Sequence, residues 1–391
     1  MGDGRDFAGF QAELYLAGIA GQHPDLPLRL PELVDRARDV LPPAVFEYVV
    51  GGAGAERTVA ANRRALDRWQ FVARQLVADV THRDLGVSLF GRHLASPLLL
   101  APIGVLGAFV DGGELAVARA CAELGVPWVV PTLSSVALED VAAAMGDSPR
   151  LFQLYWQRDP AVTASFVARA EQAGYDALVL TIDTQLPSWR PRDLQGGYHP
   201  LLGGDGIANH LADPAFQAQR SPDADDQYVT YEAAAMLGDP SQTWAGVAAL
   251  CASTSLPVVV KGIQHPDDVA PALSAGVAGI GVSNHGGRQL DGARGSLDAL
   301  PSVAAAVAGR VPVLFDSGIE SGADVVKALA LGADAVLVGR PYVWGLAAGG
   351  EAGVRQVVRC LLAEVSLTMG LLGCTAVDQI GPSLLHRDPA V

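Results

Sequence analysis

Val313-Leu314-Phe315-Asp316-Ser317-Gly318, then Gly322 to Leu331, then Ala335-Val336-Leu337-Val338-Gly339-Arg340 is the stretch that decides the fold. An apolar run ends in polar residues and glycine, a segment of helical period follows, and a second apolar run ends in Gly-Arg. Strands buried on both faces read as continuous apolar runs, and a helix between two of them is the crossover of a parallel pair. The loops that end both runs offer backbone N–H groups where barrels of parallel strands commonly hold a phosphate.

Working outward, six more apolar runs precede these two: Leu98 to Ala101, Trp128 to Val130, Leu151 to Tyr155, Ala177 to Ile182, Pro257 to Val260 and Gly279 to Val282. Helical periods lie between them at Gly113 to Leu124, Ala161 to Ala173, Pro266 to Ala275 and Ser302 to Ala308. A last helix repeats Val354, Val357, Val358, Leu361, Leu362 and Val365. Eight such units predict an α/β fold of the TIM (β/α)8 type. The chain, 1–391, reads as one domain: a helical N-terminal extension over 1–96 with room for a hairpin, and a barrel over 97–370. Residues 192–242 form a long insertion after strand four, containing Gly-Gly, Asp-Pro and a Ser-Pro-Asp-Ala-Asp-Asp run. Connections this long are usually lids or disordered, and its place on the strand-end face predicts a lid.

The composition, 50% hydrophobic and 18% charged over 391 residues, excludes a disordered chain. A formal net charge of −15 argues against nucleic acid or an anionic membrane as partner. Cys121, Cys251, Cys360 and Cys374 are too widely spaced for a metal or redox motif and read as reduced, buried thiols, consistent with a cytoplasmic location. Met1-Gly2-Asp3-Gly4-Arg5-Asp6 opens no export or acylation signal. The most apolar stretch, Leu94 to Val110, is broken by Pro97, Pro102 and Gly104 and reads as strand and loop, not as a membrane span. No metal is assigned, and His82, His93, His199 and His210 are expected at the surface.

Active sites of such barrels form at the C-terminal strand ends, and the polar residues fall there. Strand three carries Gln153 and ends at Tyr155, strand four ends Thr181-Ile182-Asp183, and strand five ends at Lys261. Strand six ends at Ser283 and His285, strand seven at Asp316, and strand eight at Gly339-Arg340. Buried Lys, Asp and His from separate strands need mutual pairing or a ligand. In Ser283-Asn284-His285-Gly286-Gly287-Arg288-Gln289, the histidine can take a proton near neutral pH and the guanidinium can hold a carboxylate through two hydrogen bonds. That pair suits a substrate whose reacting carbon stands beside a carboxylate, as in 2-hydroxy acids. Alone, the motif is more often a plain turn with a solvated arginine.

Through these residues the chain resembles the FMN-dependent 2-hydroxy acid oxidases and dehydrogenases. The motifs that carry the resemblance are Phe46-Glu47-Tyr48 before Gly51-Gly52-Ala53, Phe152 through Tyr155, Thr181 through Thr184, Val260-Lys261-Gly262, Ser283 through Asp291, Asp316 through Ile319 and Gly339-Arg340-Pro341. Within the family it is most similar to lactate 2-monooxygenase, through Pro102-Ile103-Gly104, Trp189 through Leu194, Gly262 through Asp268 and the insertion. The resemblance implies FMN as cofactor, a small (S)-2-hydroxy acid and O2 as reactants, and a homo-oligomer, tetramer or octamer. His285 would be the base, with Asp183 stabilising its protonated form. Tyr48, Arg190 and Arg288 would grip the substrate carboxylate and Tyr155 the oxygen on the reacting carbon. Lys261 would face the flavin's pyrimidine end, while Pro102, Ile103, Gly104, Gln153, Thr181, Ser283, Asp316, Ser317, Gly318, Gly339 and Arg340 would hold ring and phosphate. If the keto acid leaves first, hydrogen peroxide is released; if a closed lid retains it, decarboxylation follows.

Four departures stand out. Glu320 replaces an arginine that the family uses near the phosphate, which puts FMN affinity at issue. Gly104 replaces the usual alanine, a missing methyl beside the flavin that could alter oxygen access. Pro131 replaces a serine, and Leu133 stands where glycolate oxidase has tryptophan, widening the pocket for larger, even aryl, substrates. Two other readings remain open: a different FMN- or phosphate-binding barrel enzyme, or a non-catalytic barrel whose FMN binding Glu320 weakens.

Overall fold

The computed structural model describes residues 6–221 and 225–389. The export reading at 1–5 and the middle of the insertion's acidic run, 222–224, lie outside the described residues.

Eight parallel strands close into a TIM barrel: β1 (Leu98–Leu100), β2 (Trp128–Val130), β3 (Arg150–Leu154), β4 (Ala177–Thr181), β5 (Val258–Ile263), β6 (Gly279–Val282), β7 (Val313–Phe315) and β8 (Ala335–Val338). Each pairs with its neighbour in sequence, and Val336, Leu337 and Val338 of β8 close the ring against Leu98, Leu99 and Leu100 of β1. Alternation divides the side chains. Leu99, Val129, Leu151, Val179, Val259, Leu314 and Leu337 fill the barrel, while Leu98, Leu100, Val130 and their counterparts pack outward under the helices. A hairpin, Val87–Leu89 with Arg92–Leu94, adds Leu89, Phe90 and Leu94 to the interior cluster. Its turn, Phe90-Gly91, has positive φ at both residues, as tight hairpins require. Filled from this end, the barrel leaves its polar strand ends to form a site at the other.

The strands match the sequence reading to within a residue or two except β5, which runs on through Lys261 to Ile263 with a register shift against β6. At Gly262, φ is 123° and a Cβ would stand 2.9 Å from Asp183 Cβ, so glycine is what admits Asp183 there. The helix expected from Ser302 starts earlier, at Ser296, because it contains Pro301, which reads as a break in sequence. The last helix spans Arg340–Leu371 and bends at Gly349-Gly350.

Before the barrel come α1 (Gly9–Ile19), α2 (Leu30–Val40), α3 (Pro43–Val50) and α4 (Arg57–Asp67). The buried face of α4 is Thr58, Asn62, Ala65 and Leu66, a helical stripe that includes two polar residues, and it packs on the turn at His285–Gly287. The insertion is built, not irregular, with helices at Pro191–Gly196, Ala208–Leu211, Pro214–Gln219 and Asp226–Met236. One expectation is corrected there: His210 is buried at 0% exposure, between Phe166 and Phe216, with Nε2 2.9 Å from Gln157 Oε1. Its neighbours Asn209 and Asp213 are buried too, and Arg169 binds Asn209 O and Asp213. His82, His93 and His199 are exposed. Cys121 and Cys374 are buried, but Cys251 and Cys360 are only half-buried.

Candidate active site

A cavity of about 1110 Å³ opens at the C-terminal strand ends. It is lined by Tyr48, Pro102, Ile103, Gly104, Gln153, Tyr155, Thr181, Arg190, Lys261, His285, Arg288, Asp316, Ser317, Gly318, Gly339 and Arg340, the residues assigned from sequence. The other two, Asp183 and Ser283, stand behind this lining in hydrogen-bond contact with it.

His285 Nδ1 is 3.0 Å from Asp183 Oδ1, which leaves Nε2 as the free ring nitrogen. Burial holds the imidazole below its ordinary value, and Lys261 and Arg190 act in the same sense, outweighing Asp183. Neutral imidazole is therefore the resting form near pH 7. Burial alone would raise Asp183, but His285 and Lys261 bring it below the usual carboxylate range. Gln289 Nε2 donates to Asp183 O at 2.9 Å, fixing the strand end that carries the acid.

Asp316 organises the next loops. Lys261 Nζ lies 3.3 Å from Asp316 Oδ2 and donates to Ser283 Oγ at 3.0 Å, while Ser283 and Ser317 both donate to Asp316 Oδ1. Burial lowers the Lys261 ammonium, but Asp316 and Asp183 raise it further, so it stays charged. Gln153 bridges strands by donating to Thr181 Oγ1 at 3.1 Å and accepting Thr132 N–H at 3.1 Å.

Among the described residues neither Arg288 nor Arg340 forms an ion pair. Arg288 Nη1 donates to the carbonyls of Tyr48 and Gly51, with its guanidinium over the Tyr48 ring, and Arg340 donates to those of Val49, Gly286 and Gly51. Burial lowers both guanidinium groups. Enclosed cations with no carboxylate in ion-pair contact call for anions from outside the chain. Arg190 Nη1 has Asp193 at 3.9 Å and gives Nη2 to Gln289 Oε1.

The sequence matches the family of FMN-dependent dehydrogenases over residues 37–387. An L-lactate oxidase of Lysinibacillus sphaericus is 42% identical over 94% of this chain and 94% of that protein. A 4-hydroxymandelate oxidase of Amycolatopsis orientalis is 45% identical over 89% and 95%. The crystal structure of mandelate oxidase with (S)-4-hydroxymandelic acid superposes with a TM-score of 0.82 at 44% identity, covering 92% of this chain and 98% of that one. The chain belongs to the FMN-dependent dehydrogenase family. It is an oxidoreductase, and FMN is its cofactor.

The residues of this dehydrogenase fit FMN. The cavity exceeds the roughly 300–1000 Å³ of a usual small-molecule pocket, leaving space for cofactor and substrate together. Arg340, without an ion-pair partner among the described residues, lines the cavity together with Gly318 and Gly339, where a phosphate is expected. Glu320 lines the same cavity and acts electrostatically on Arg340, but its half-exposed carboxylate is turned to Arg63 of α4, with Nε to Oε2 3.6 Å. Burial and Asp324 raise the Glu320 carboxyl, against Arg63. At Gly104 the missing methyl leaves no open space: a Cβ would meet Leu133 O at 2.9 Å and Leu133 Cβ at 3.0 Å.

Sequence reasoning missed three groups of supporting residues. Asn62 exchanges two amide hydrogen bonds with Asn284 while Arg63 donates to Gly318 O, so one turn of α4 holds both the His285 loop and the phosphate loop. Glu114 is buried and accepts N–H from Leu106 and Ser135, tying together the loops after β1 and β2. Asn209 joins the insertion to Thr132 O and Leu138 N. Asn62 had a signal in sequence, a polar residue on a helix's buried stripe. Glu114 and Asn209 had none.

Proposed function

We propose that the enzyme oxidises an (S)-2-hydroxy acid with a bulky apolar, preferably aryl, side chain to the 2-keto acid, with O2 as final acceptor. The observation that carries this is the His285–Asp183 pair at 3.0 Å facing the same cavity as Arg190, whose nearest carboxylate is Asp193 at 3.9 Å, and Arg288, which has no ion-pair partner among the described residues. FMN, when bound, supplies the two-electron acceptor and the reaction with oxygen.

The chain's own residues do the rest. Arg288, Arg190 and Tyr48 bind the substrate carboxylate, replacing its hydration by charge-assisted hydrogen bonds. Tyr155, whose hydroxyl burial keeps protonated, donates to the oxygen on C2. His285 Nε2 accepts the proton that leaves the substrate, and Asp183 stabilises the imidazolium formed. Lys261 stands ready to offset negative charge at the cofactor's ring. Pro102, Ile103, Gly104, Gln153 and Thr181 hold that ring, and Ser317, Gly318, Gly339 and Arg340 the phosphate.

Leu133, Tyr198, Leu201 and Leu237 line the rest of the cavity and suit an apolar substituent. Three of them belong to the insertion, which supports its reading as a lid whose closure sets whether the keto acid leaves with peroxide or is retained and decarboxylated. The test is the visible spectrum of the FMN-loaded enzyme on anaerobic addition of (S)-mandelate and (S)-lactate, then product analysis in air. Bleaching by mandelate at lower concentration than lactate is expected. A flavin that stays oxidised with both would overturn the reading.

A further inference from the structure

Ser317 stands where the backbone calls for glycine. Its φ is 90°, a left-handed conformation in which an L side chain is strained and glycine is not. What the serine adds is a hydroxyl with three partners. Ser317 Oγ donates to Asp316 Oδ1 at 2.7 Å, accepts Gly286 N–H at 3.0 Å, and accepts Asn284 N–H at 3.4 Å. Ser283 works in parallel: its Oγ donates to the same carboxylate oxygen at 2.6 Å and accepts His285 N–H at 3.0 Å.

A hydroxyl has one proton to give. With both protons directed to Asp316, the oxygen lone pairs are fixed toward the amides of residues 285 and 286, the two peptide nitrogens on either side of the His285 α-carbon. His285 is itself left-handed, with φ 58°. The conformation that presents the imidazole is thus held from both sides by hydroxyls anchored on one acid.

We infer that Ser317 is a positioning residue for the base: its hydroxyl fixes the backbone of His285 and couples the placement of the imidazole to the loop that receives the cofactor phosphate. This rests on the reading of His285 as base. Conformational strain at a functional loop is kept because the hydroxyl it presents is needed there.

The charged groups that face the His285 ring are Asp183 from the end of β4, Lys261 from β5 and Arg190 from just before the insertion. Ser317 carries no charge. Any change in the His285 titration on replacing it therefore arises from position and solvent access.

Two variants separate strain from hydroxyl. Ser317→Gly removes both, and Ser317→Ala removes the hydroxyl alone. In the full-length protein, free and FMN-loaded, Ser317→Gly is expected to melt at or above the wild-type temperature and Ser317→Ala below it. In both, exchange of the Gly286 amide accelerates by about tenfold or more. The His285 imidazole, followed by NMR on histidine-labelled protein with His285→Gln for assignment, titrates higher as its loosened ring gains water. Reduction of the flavin by mandelate slows by about 10- to 100-fold with KM little changed. A Ser317→Gly protein whose His285 titration and Gly286 exchange match wild type sinks the inference. Both readouts need no substrate, so they stand apart from whether a 2-hydroxy acid reduces the flavin, which tests the functional reading instead.

Discussion

The two ends of the cavity are held by different kinds of force. At the phosphate-loop end, Asn62, Ser283, Asn284, Asp316 and Ser317 are all buried and bonded to one another or to the backbone between them. At the insertion end the lining is largely apolar, and Leu186, Trp189, Leu194 and Leu202 are exposed around it. Buried polar groups are directional, and leaving one unmet costs about 1–3 kcal/mol, so such a network permits one arrangement. Apolar contacts are non-directional and tolerate repacking. On the proposed reading the chemistry is placed on the end that cannot shift and the choice of substrate on the end that can.

The sharpest way to break this contrast is at the fixed end. His285→Gln keeps a hydrogen-bonding side chain beside Asp183 but cannot accept a proton. Anaerobic reduction of bound flavin by mandelate is expected to slow by about 10²- to 10⁴-fold, with FMN still bound and the melting temperature near wild type. Wild-type reduction should also fall as pH drops through the lowered His285 value, because only the neutral imidazole accepts. Stopped-flow traces showing unchanged reduction in the variant would remove the base from the mechanism.

The second prediction addresses the other end. Burial lowers His210 from 6.5 to about 4 in the folded protein. The unfolded chain therefore binds the extra proton first as pH falls. The stability His210 contributes is fully present above pH 6.5 and is lost progressively between there and about pH 4, on the order of 3 kcal/mol. Hydrogen exchange should show residues 207–216 opening across that window before the 284–287 turn does. Simultaneous opening of both would mean that the two ends are one cooperative unit.

The fold was legible because the barrel strands are continuous apolar runs, and β7 and β8 with their helix show the repeating unit in the 28 residues from Val313 to Arg340. Most of the residues that line the cavity were legible because they stand at or just beyond the ends of those strands. What sequence did not disclose was support from elsewhere in the chain. The partner of Asn284 is Asn62, 222 residues away, and Arg63 approaches Glu320 from the same distant helix. No local pattern encodes such pairs. Nor did the sequence separate His210 from the exposed His82, His93 and His199, since its burial depends on where Phe166 and Phe216 meet.

Gly104 lies between the two ends. Its α-carbon belongs to the loop after β1, yet the space a methyl would need is taken by Leu133 of the loop after β2. Gly104→Ala is expected to overpack that contact at a cost of about 1–3 kcal/mol, read as a lowered denaturation midpoint. As the Leu133 loop yields, the ratio of kcat/KM for mandelate over lactate should move by about tenfold. Unchanged stability and an unchanged ratio, with altered oxygen consumption alone, would return the position to a role in oxygen access.

The smallest effect is expected at Glu320, where sequence alone suggests the greatest trouble. A carboxylate facing the phosphate would repel it strongly in a poorly hydrated site. The structure turns that carboxylate to Arg63, whose other nitrogens hold Asp324 at 2.8 Å and Asp67 at 3.2 Å, and leaves half of it in solvent. Exposed pairs contribute no more than about 1 kcal/mol, and solvent screens what repulsion remains. Glu320→Gln should therefore tighten FMN by less than about fivefold, with the gain shrinking as salt is raised. Arg63→Gln should weaken it more, because Glu320 and Asp324 would lose their shared cation and Gly318 O its donor. Fluorescence titration of the free protein with FMN measures both. A hundredfold tightening in Glu320→Gln would place the carboxylate against the phosphate and make the fixed end of the cavity the one under electrostatic strain.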